Sequence, residues 1–310
     1  MEESPCPCPC QRGACGRRRT LDKNPTPPFI ISIHSILFTP IYSLAHPHPP
    51  FPLSTSTQSS APSNNLTMSA AKYFPSESSQ LLSITRDGPL FILTMLDNDN
   101  RFTTEFCAAI CDALDHVSEV VYNEGLTEAA LISRGASEKF YSNGLHIEKA
   151  FSVPGFTENI FMPMLHKILV FTIPTVACVN GHAFAGGMLM AMAHDYRVMR
   201  SDRGFMCMNE IDLPSPLPSG MSALLRYKLP HHVYRSVVLE ARRYSGKDAL
   251  ANHIVDAIPD TDGIDATFEL AKKLALKIAP KSKAGSIIQN IKEDMYPEAS
   301  SYLLVGQAKL

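Results

Sequence analysis

The chain has 310 residues with 28 basic and 30 acidic side chains, a formal net charge of −2, so no global positive field exists to hold a nucleic-acid backbone or an anionic membrane surface. That length buries a substantial core and excludes a disulfide-stapled mini-protein. Composition divides the chain near residue 67: residues 1–67 hold 12 of the 24 prolines and four of the eight cysteines, but only two of the 16 glycines.

A stretch rich in proline, serine and threonine, with few residues able to pack a periodic core, is not expected to fold by itself. Residues 1–67 therefore read as a disordered extension or as sequence upstream of a true start, with Met68 opening more ordinary sequence. Cys6, Cys8, Cys10 and Cys15 are closely spaced, but intervening prolines stiffen the segment and no companion CxxC or histidine pair follows, so no metal site is expected. Arg12, Arg17, Arg18 and Arg19 lie near Glu2 and Glu3 without an amphipathic helix, which argues against a transit peptide. The apolar run from Phe29 to Ala45 carries His34 and Pro40 and is short for a membrane span.

Beyond Met68, apolar runs at Leu81–Ile84 and Leu90–Met95 flank Arg86-Asp87-Gly88 and predict a hairpin. Phe106, Ile110, Leu114 and Val117 recur at helical spacing and predict an amphipathic helix over roughly 103–122. A buried strand at Ala129–Ile132, a polar loop to Gly144 and a helix around 157–169 follow, then a strand at Thr175–Val179 and an apolar helix over Gly186–Ala193. Strands alternating with helices imply a mixed α/β fold with crossover connections. From Pro230 onward the chain reads as mostly helical, with a capping box at Ser245 and Asp248 opening 246–252 and longer helices over 264–278 and 282–294. Cys107, Cys111, Cys178 and Cys207 lack paired spacing and read as reduced core residues.

Two glycine-centred loops carry the chemistry. Phe140-Tyr141-Ser142-Asn143-Gly144-Leu145 follows the strand that ends near Arg134, and Asn180-Gly181-His182-Ala183-Phe184-Ala185-Gly186-Gly187 follows strand 175–179 and opens a helix. Small residues let a ligand approach the backbone, and a helix N-terminus offers free N–H groups. Brought together, two such loops would make an oxyanion hole; alternatively, the glycines only permit tight packing. The segment AFAGG lacks the GxGxxG spacing of a dinucleotide site and is followed by no Walker lysine.

The segments KFYSNGLHIE (139–148), IPTVACVNGHAFAGGMLMAMAHDYRVM (173–199) and GFMCMNEIDLPSPLP (204–218) resemble the enoyl-CoA hydratase/isomerase (crotonase) superfamily, with weaker resemblance from residue 81 to RRYSGKDALANHIVDAI at 242–258. The resemblance implies a crotonase-like spiral of repeated β-β-α units over 68–260 and a helical C-terminal region over 261–310. It also implies trimer or dimer-of-trimers assembly and acyl-CoA thioester substrates, with CoA entering as part of the substrate and no metal or redox cofactor. It places the two oxyanion-hole amides at Leu145 and Gly186, and substrate contacts at Ser142, Asn143, Gly144, Phe184, Gly187 and Leu217. Phe184, Met188 and Leu217 are wall candidates for an acyl pocket and read equally well as core.

The acid/base residues separate the reactions of the superfamily. Its hydratases use two glutamates, and here the first of those positions is Leu189 while the second is Glu210. One carboxylate that takes a proton from C2 and returns it at C4 suffices to move a 3-enoyl double bond to the 2 position, so the chain looks more like the delta isomerases of the superfamily than like its hydratases. Some of those isomerases carry their glutamate where Ser219 stands, and the aspartate common after the first-loop glycine is His146 here. By itself Glu210 also reads as a solvated strand-end glutamate; the resemblance favours catalysis, with its pKa raised by an apolar pocket. Hydration or thioester hydrolysis would require a second group such as His146 or Asp212, and a non-catalytic acyl-CoA-binding protein would not need Glu210. Asp195 reads as an anchor for a helix end or loop. Arg101, Lys139 and Lys283 are unranked candidates for the CoA phosphates. The terminal Ala308-Lys309-Leu310 is similar to the Ser-Lys-Leu peroxisomal address, which an import receptor reads at a free C-terminus.

Overall fold

A computed structural model describes residues 69–213 and 216–305. The expectations for residues 1–67 and for Ala308-Lys309-Leu310 lie outside the described residues. The first strands form an antiparallel meander, β1 (Lys72–Ser76), β2 (Ser79–Asp87) and β3 (Leu90–Met95), with Gly88 at φ 59° supplying the left-handed residue of the β2–β3 turn. Helix α1 (Thr104–Asn123) starts where the Thr103 hydroxyl accepts from the Phe106 N–H at 3.2 Å. Its buried face carries the predicted Phe106, Ile110, Leu114 and Val117.

Three strand–strand–helix units then wind as a spiral. They are β4 (Ala130–Gly135) and β5 (Phe140–Ser142) with α2 (Ile147–Ser152) and α3 (Met162–Leu169); β6 (Thr175–Val179) and β7 (His182–Phe184) with α4 (Gly186–Ala193); and β8 (Tyr196–Met199) and β9 (Met206–Cys207) with α5 (Ser219–Lys228) and α6 (His231–Glu240). The first strand of each unit joins the meander in a sheet of order β1-β2-β3-β4-β6-β8, and the second strands form a separate parallel sheet, β5-β7-β9. This is the crotonase-like spiral expected from the resemblance. Successive turns are clamped by Asn180, whose side chain accepts from Gly135 N at 2.8 Å and donates to the carbonyls of Gly135 (3.0 Å) and Ser137 (2.7 Å).

Strand β6 is buried along its whole length because both faces of the sheet are covered. Ala177 and Val179 join the main core, while Val176 and Cys178 point the other way into a second cluster with Ala271, Ala275 and Ile278 of α8 (Ile264–Ile278). The remaining helices are α7 (Gly246–Ala251), capped by Ser245 as expected, α9 (Ser286–Met295) and α10 (Pro297–Leu303). Helix α9 is tied down by buried Lys292, which donates to Asp195 Oδ2 at 2.7 Å and to the carbonyls of Phe171 (2.9 Å) and Ile173 (3.2 Å). The same Asp195 oxygen accepts from the amide and hydroxyl of Thr175, so this carboxylate anchors the chain rather than acting in catalysis. Among the described residues no helix is long and apolar enough to cross a membrane.

The predicted helix 157–169 is in fact a π-type turn (Thr157–Phe161) running into α3. Pro163 has no N–H to donate one turn back, and the Met162 N–H instead reaches Thr157 O five residues earlier. The predicted helix 282–294 begins at Ser286, after a 3-10 turn (Ala279–Ala284) and Gly285 at φ 57°.

Candidate active site

The two glycine loops meet at a cavity of about 500 Å³. Asn143 and Leu145 reach it from the first loop, Phe184, Ala185 and Leu189 from the second, and Cys207, Asn209 and Glu210 from the end of β9. Pro216, Pro218 and Met221 supply more apolar wall, and Arg101 and Arg243 stand at its polar part.

Backbone pairing sets the direction of the first-loop amide. Phe102 N donates to Gly144 O at 2.9 Å and Phe102 O accepts from His146 N at 3.0 Å, a parallel bridge centred on Leu145. The N–H of Leu145 therefore points away from Phe102. Gly186 is the first residue of α4, where an N–H has no carbonyl one turn earlier. Neither amide has an acceptor among the described residues. The preceding Ala185 is held at φ 50°, a region Cβ-bearing residues seldom enter, and its N–H donates to Cys207 O at 2.8 Å. Gly144 brings the loops together: a Cβ built there would lie 3.2 Å from Gly186 N.

Glu210 opens a 3-10 turn (Glu210–Asp212) directly after β9 and Met208-Asn209. It is partly buried, its Oε2 is buried without a hydrogen-bond partner among the described residues, and loss of water pushes its pKa above the ordinary carboxylate value, against a smaller opposing pull from its own backbone amide. Burial likewise raises the Cys207 thiol, whose Sγ lies 3.2 Å from Ala241 O.

Of the residues proposed from sequence, Asn143, Leu145, Phe184 and Glu210 line the cavity. The side chain of Asn143 is held by Asp99 Oδ2 at 3.3 Å, and the ring of Phe184 packs on His182 with centroids 4.8 Å apart. Gly186 sits under the wall, where a Cβ would stand 2.7 Å from Leu145 Cδ1. Ser142, Gly144, Gly187 and Leu217 stand behind the wall rather than on it. The Ser142 hydroxyl is spent inside the protein, donating to Asn100 O at 2.7 Å and accepting from Gly144 N at 3.2 Å. Gly187 seats α4 on β5, since a Cβ would meet Ser142 O at 2.3 Å. Leu217 packs against the main core while its neighbours Pro216 and Pro218 face the cavity, and Met188 is fully buried core. His146 is not on the wall, whereas Asp212 and Leu189 are. Ser219 is exposed at the start of α5.

Asn209, Met221 and Arg243 were not singled out from sequence. Asn209 adjoins Glu210 in the quoted motif, which was a usable signal. Arg243 comes from the segment after α6, and no local pattern marks it.

The family model described as enoyl-CoA hydratase/isomerase matches residues 93–303. The peroxisomal enoyl-CoA delta isomerase 2 of Arabidopsis thaliana is 30% identical over 234 residues, covering 72% of this chain and 95% of that protein. Enoyl-CoA delta isomerase 3 of the same plant is 31% identical over 227 residues, covering 70% and 93%. Among solved structures, an apo enoyl-CoA isomerase of Mtb matches with a TM-score of 0.64 at 19% identity over 73% of this chain and 95% of its own. An enoyl-CoA hydratase from Mycobacterium marinum matches with a TM-score of 0.63 at 19% identity, over 73% and 96%. These two show the same fold. The family match over the whole spiral, joined to a site built from two glycine loops and a glutamate, identifies the chain as a member of the enoyl-CoA hydratase/isomerase (crotonase) family.

Proposed function

We propose that this enzyme moves the double bond of a 3-enoyl-CoA to the 2-trans position. The observation that carries the reading is the pairing of Glu210, with a buried and unpartnered carboxylate oxygen, with Leu189 in the same cavity. One carboxylate fits a proton shuttle, and two would be needed to activate a water and protonate the product; Asp212, the other carboxylate of the described wall, is exposed and shares none of the burial of Glu210. Similarity to delta isomerases at 30% and 31% identity supports the same choice.

In the proposed reaction Glu210 removes a proton from C2, and the electron pair delocalises onto the thioester oxygen and over C3 and C4. The amides of Leu145 and Gly186 stabilise that oxygen more strongly as charge develops than in the neutral thioester. Glu210 then returns the proton at C4, leaving the double bond between C2 and C3. A base that must also act as an acid works best with a pKa moved toward neutrality, the direction burial supplies here. Asn143 and Phe184 contact the substrate, while Ser142, Gly144, Gly187 and Leu217 hold the loops that contact it. The reaction is redox-neutral and transfers only a proton, so the residues present need no metal or redox cofactor, and CoA is a portion of the substrate. Assembly as a homotrimer or dimer of trimers and import into peroxisomes through Ala308-Lys309-Leu310 complete the proposal; the latter is supported by the peroxisomal Arabidopsis relative.

The test is an assay of the full chain with 3-hexenoyl-CoA, following the 2-enoyl thioester chromophore, beside Glu210→Gln. The parent is expected to turn over and the folded variant to lose about 10²–10⁴-fold in kcat. A silent parent that still binds CoA thioesters overturns the reading in favour of a binding role, and hydration of a 2-enoyl-CoA by the parent overturns it in favour of a hydratase.

A further inference from the structure

Two neighbouring residues in the cavity wall carry buried acceptors that nothing among the described residues satisfies, Asn209 Oδ1 and Glu210 Oε2. Buried polar atoms without partners are rare, because each gives up its hydration with nothing in return. Asn209 holds the position before the 3-10 turn, one that asparagine often fills as a cap, but at φ −107° and ψ 23° it is outside the extended region from which caps form. Its backbone carbonyl takes the Asp212 N–H at 3.1 Å, the bond that forms the turn, but its side chain makes no cap. The usual structural reason for an asparagine here is therefore absent, while its oxygen is kept in the wall beside the base.

Two acceptors cannot satisfy one another until one of them carries a proton. Glu210 acquires that proton whenever it acts as a base, and its acid form then has one O–H to place. We propose that Asn209 is a positioning residue whose carboxamide oxygen accepts the O–H of protonated Glu210, holding the carboxyl in one orientation between removal of a proton and its return. This inference rests on Glu210 being the acid/base of the site. The other titratable groups of the wall are Arg101, Cys207, Asp212 and Arg243. Helix α6, packed against the turn, carries His231, His232, Tyr234, Arg235 and Glu240. None of them bonds to Glu210 Oε2.

The experiment is a titration of the Glu210 carboxyl in the full-length protein by infrared difference spectroscopy, with Glu210→Gln as the blank, in the parent, Asn209→Leu and Asn209→Ala. Folding of each variant is checked by its urea midpoint, and the second variant serves where the first fails to fold. Losing the acceptor is expected to lower the apparent pKa by about 0.5 or more and to move the acid-form C=O band to higher frequency. In kinetics with 3-hexenoyl-CoA, kcat is expected to fall about tenfold with KM little changed. Variants that titrate as the parent does, or at higher pH, or with an unmoved carbonyl band, overturn the proposal. A parent that titrates as expected but does not isomerise overturns the reaction assigned to the site and leaves the Asn209–Glu210 bond standing, so the two failures are distinguishable.

Discussion

Leu189, one turn into α4, and Glu210, on the turn after β9, line the same cavity from different elements, the first with no exposed surface and the second with an orphaned carboxylate oxygen. If an apolar residue at Leu189 rather than a carboxylate is what selects isomerisation, supplying a glutamate there should change the reaction. Leu189→Glu is expected to add water to 2-hexenoyl-CoA, read as a mass gain of one water in the thioester product. Isomerisation should weaken, because a like charge nearby raises the Glu210 pKa further and lowers the fraction of active base. The variant should lose about 2–4 kcal/mol of stability from burying a carboxylate in place of a leucine. No hydration by the folded variant would show that more than the missing glutamate separates the two chemistries here.

Removing the charge at Glu210 should have opposite effects on activity and stability. Its folded-state pKa lies above the ordinary value of 4.5, so between those two values the native state binds more protons than the unfolded chain. Stability then falls as pH rises through that window, and the carboxylate remains a liability above it. Glu210→Gln is therefore expected to raise Tm at pH 7 while abolishing turnover, with the gain in Tm shrinking as pH falls from above the folded-state pKa toward 4.5 and vanishing below that. Equal Tm values for parent and variant across that range would contradict a desolvated carboxylate.

The fold was legible in sequence where an element was long or buried on a regular period. The strand Thr175–Val179, the helix Gly186–Ala193 and the helix over 264–278 were read with their observed limits. Strands β5 and β7 were missed because they have three residues each, too few to display alternation, and β9, with two, was read only as a strand end before Glu210. They nonetheless carry the loops of the site, so the cavity itself was visible only through glycine spacing and family resemblance. Leu145, Phe184 and Glu210 could be named that way; Leu217 could not be oriented, since adjacent Pro216 and Pro218 face the cavity and it faces the core. Arg243 arrives from a distant segment, and only tertiary structure brings it to the wall.

Spacing between the two loops should matter more than any side chain they carry. Gly144 has φ +79°, and a Cβ there would stand 2.9 Å from Phe184 O and 3.1 Å from Ala185 Cβ. Gly144→Ala thus meets both backbone strain and a steric block from backbone that cannot swing aside. The expected cost is about 1–3 kcal/mol in urea unfolding, with kcat reduced about 100-fold as the two amides are pushed apart. Leu145→Ala keeps its N–H and is expected to change kcat only about two- to fivefold, a loss of packing rather than of a donor. Comparable losses in both variants would mean that the backbone amides are not the groups that stabilise the reacting oxygen.

A half-buried lysine away from the site gives the protein a pH dependence of its own. Lys228, in the last turn of α5, donates to His194 O at 3.1 Å and lies 4.4 Å from the centroid of the Tyr296 ring. Burial, with help from the nearby Arg197 charge, lowers its pKa from 10.5 to about 7, although Asp195 pulls the other way. Between pH 7 and 10.5 the unfolded chain therefore binds more protons at this position than the native state does. Stability from this group accordingly rises with pH across that window, and below pH 7 the full penalty of a buried charge applies. Lys228→Met removes the titrating group while keeping a long apolar side chain. The free-energy difference between variant and parent, measured by urea unfolding from pH 6 to pH 9, should thus favour the variant most at pH 6 and decline steadily as pH rises. A difference that stays flat over that range would show that the ammonium is stabilised in place by His194 O and Tyr296 strongly enough to cancel the cost of burying it.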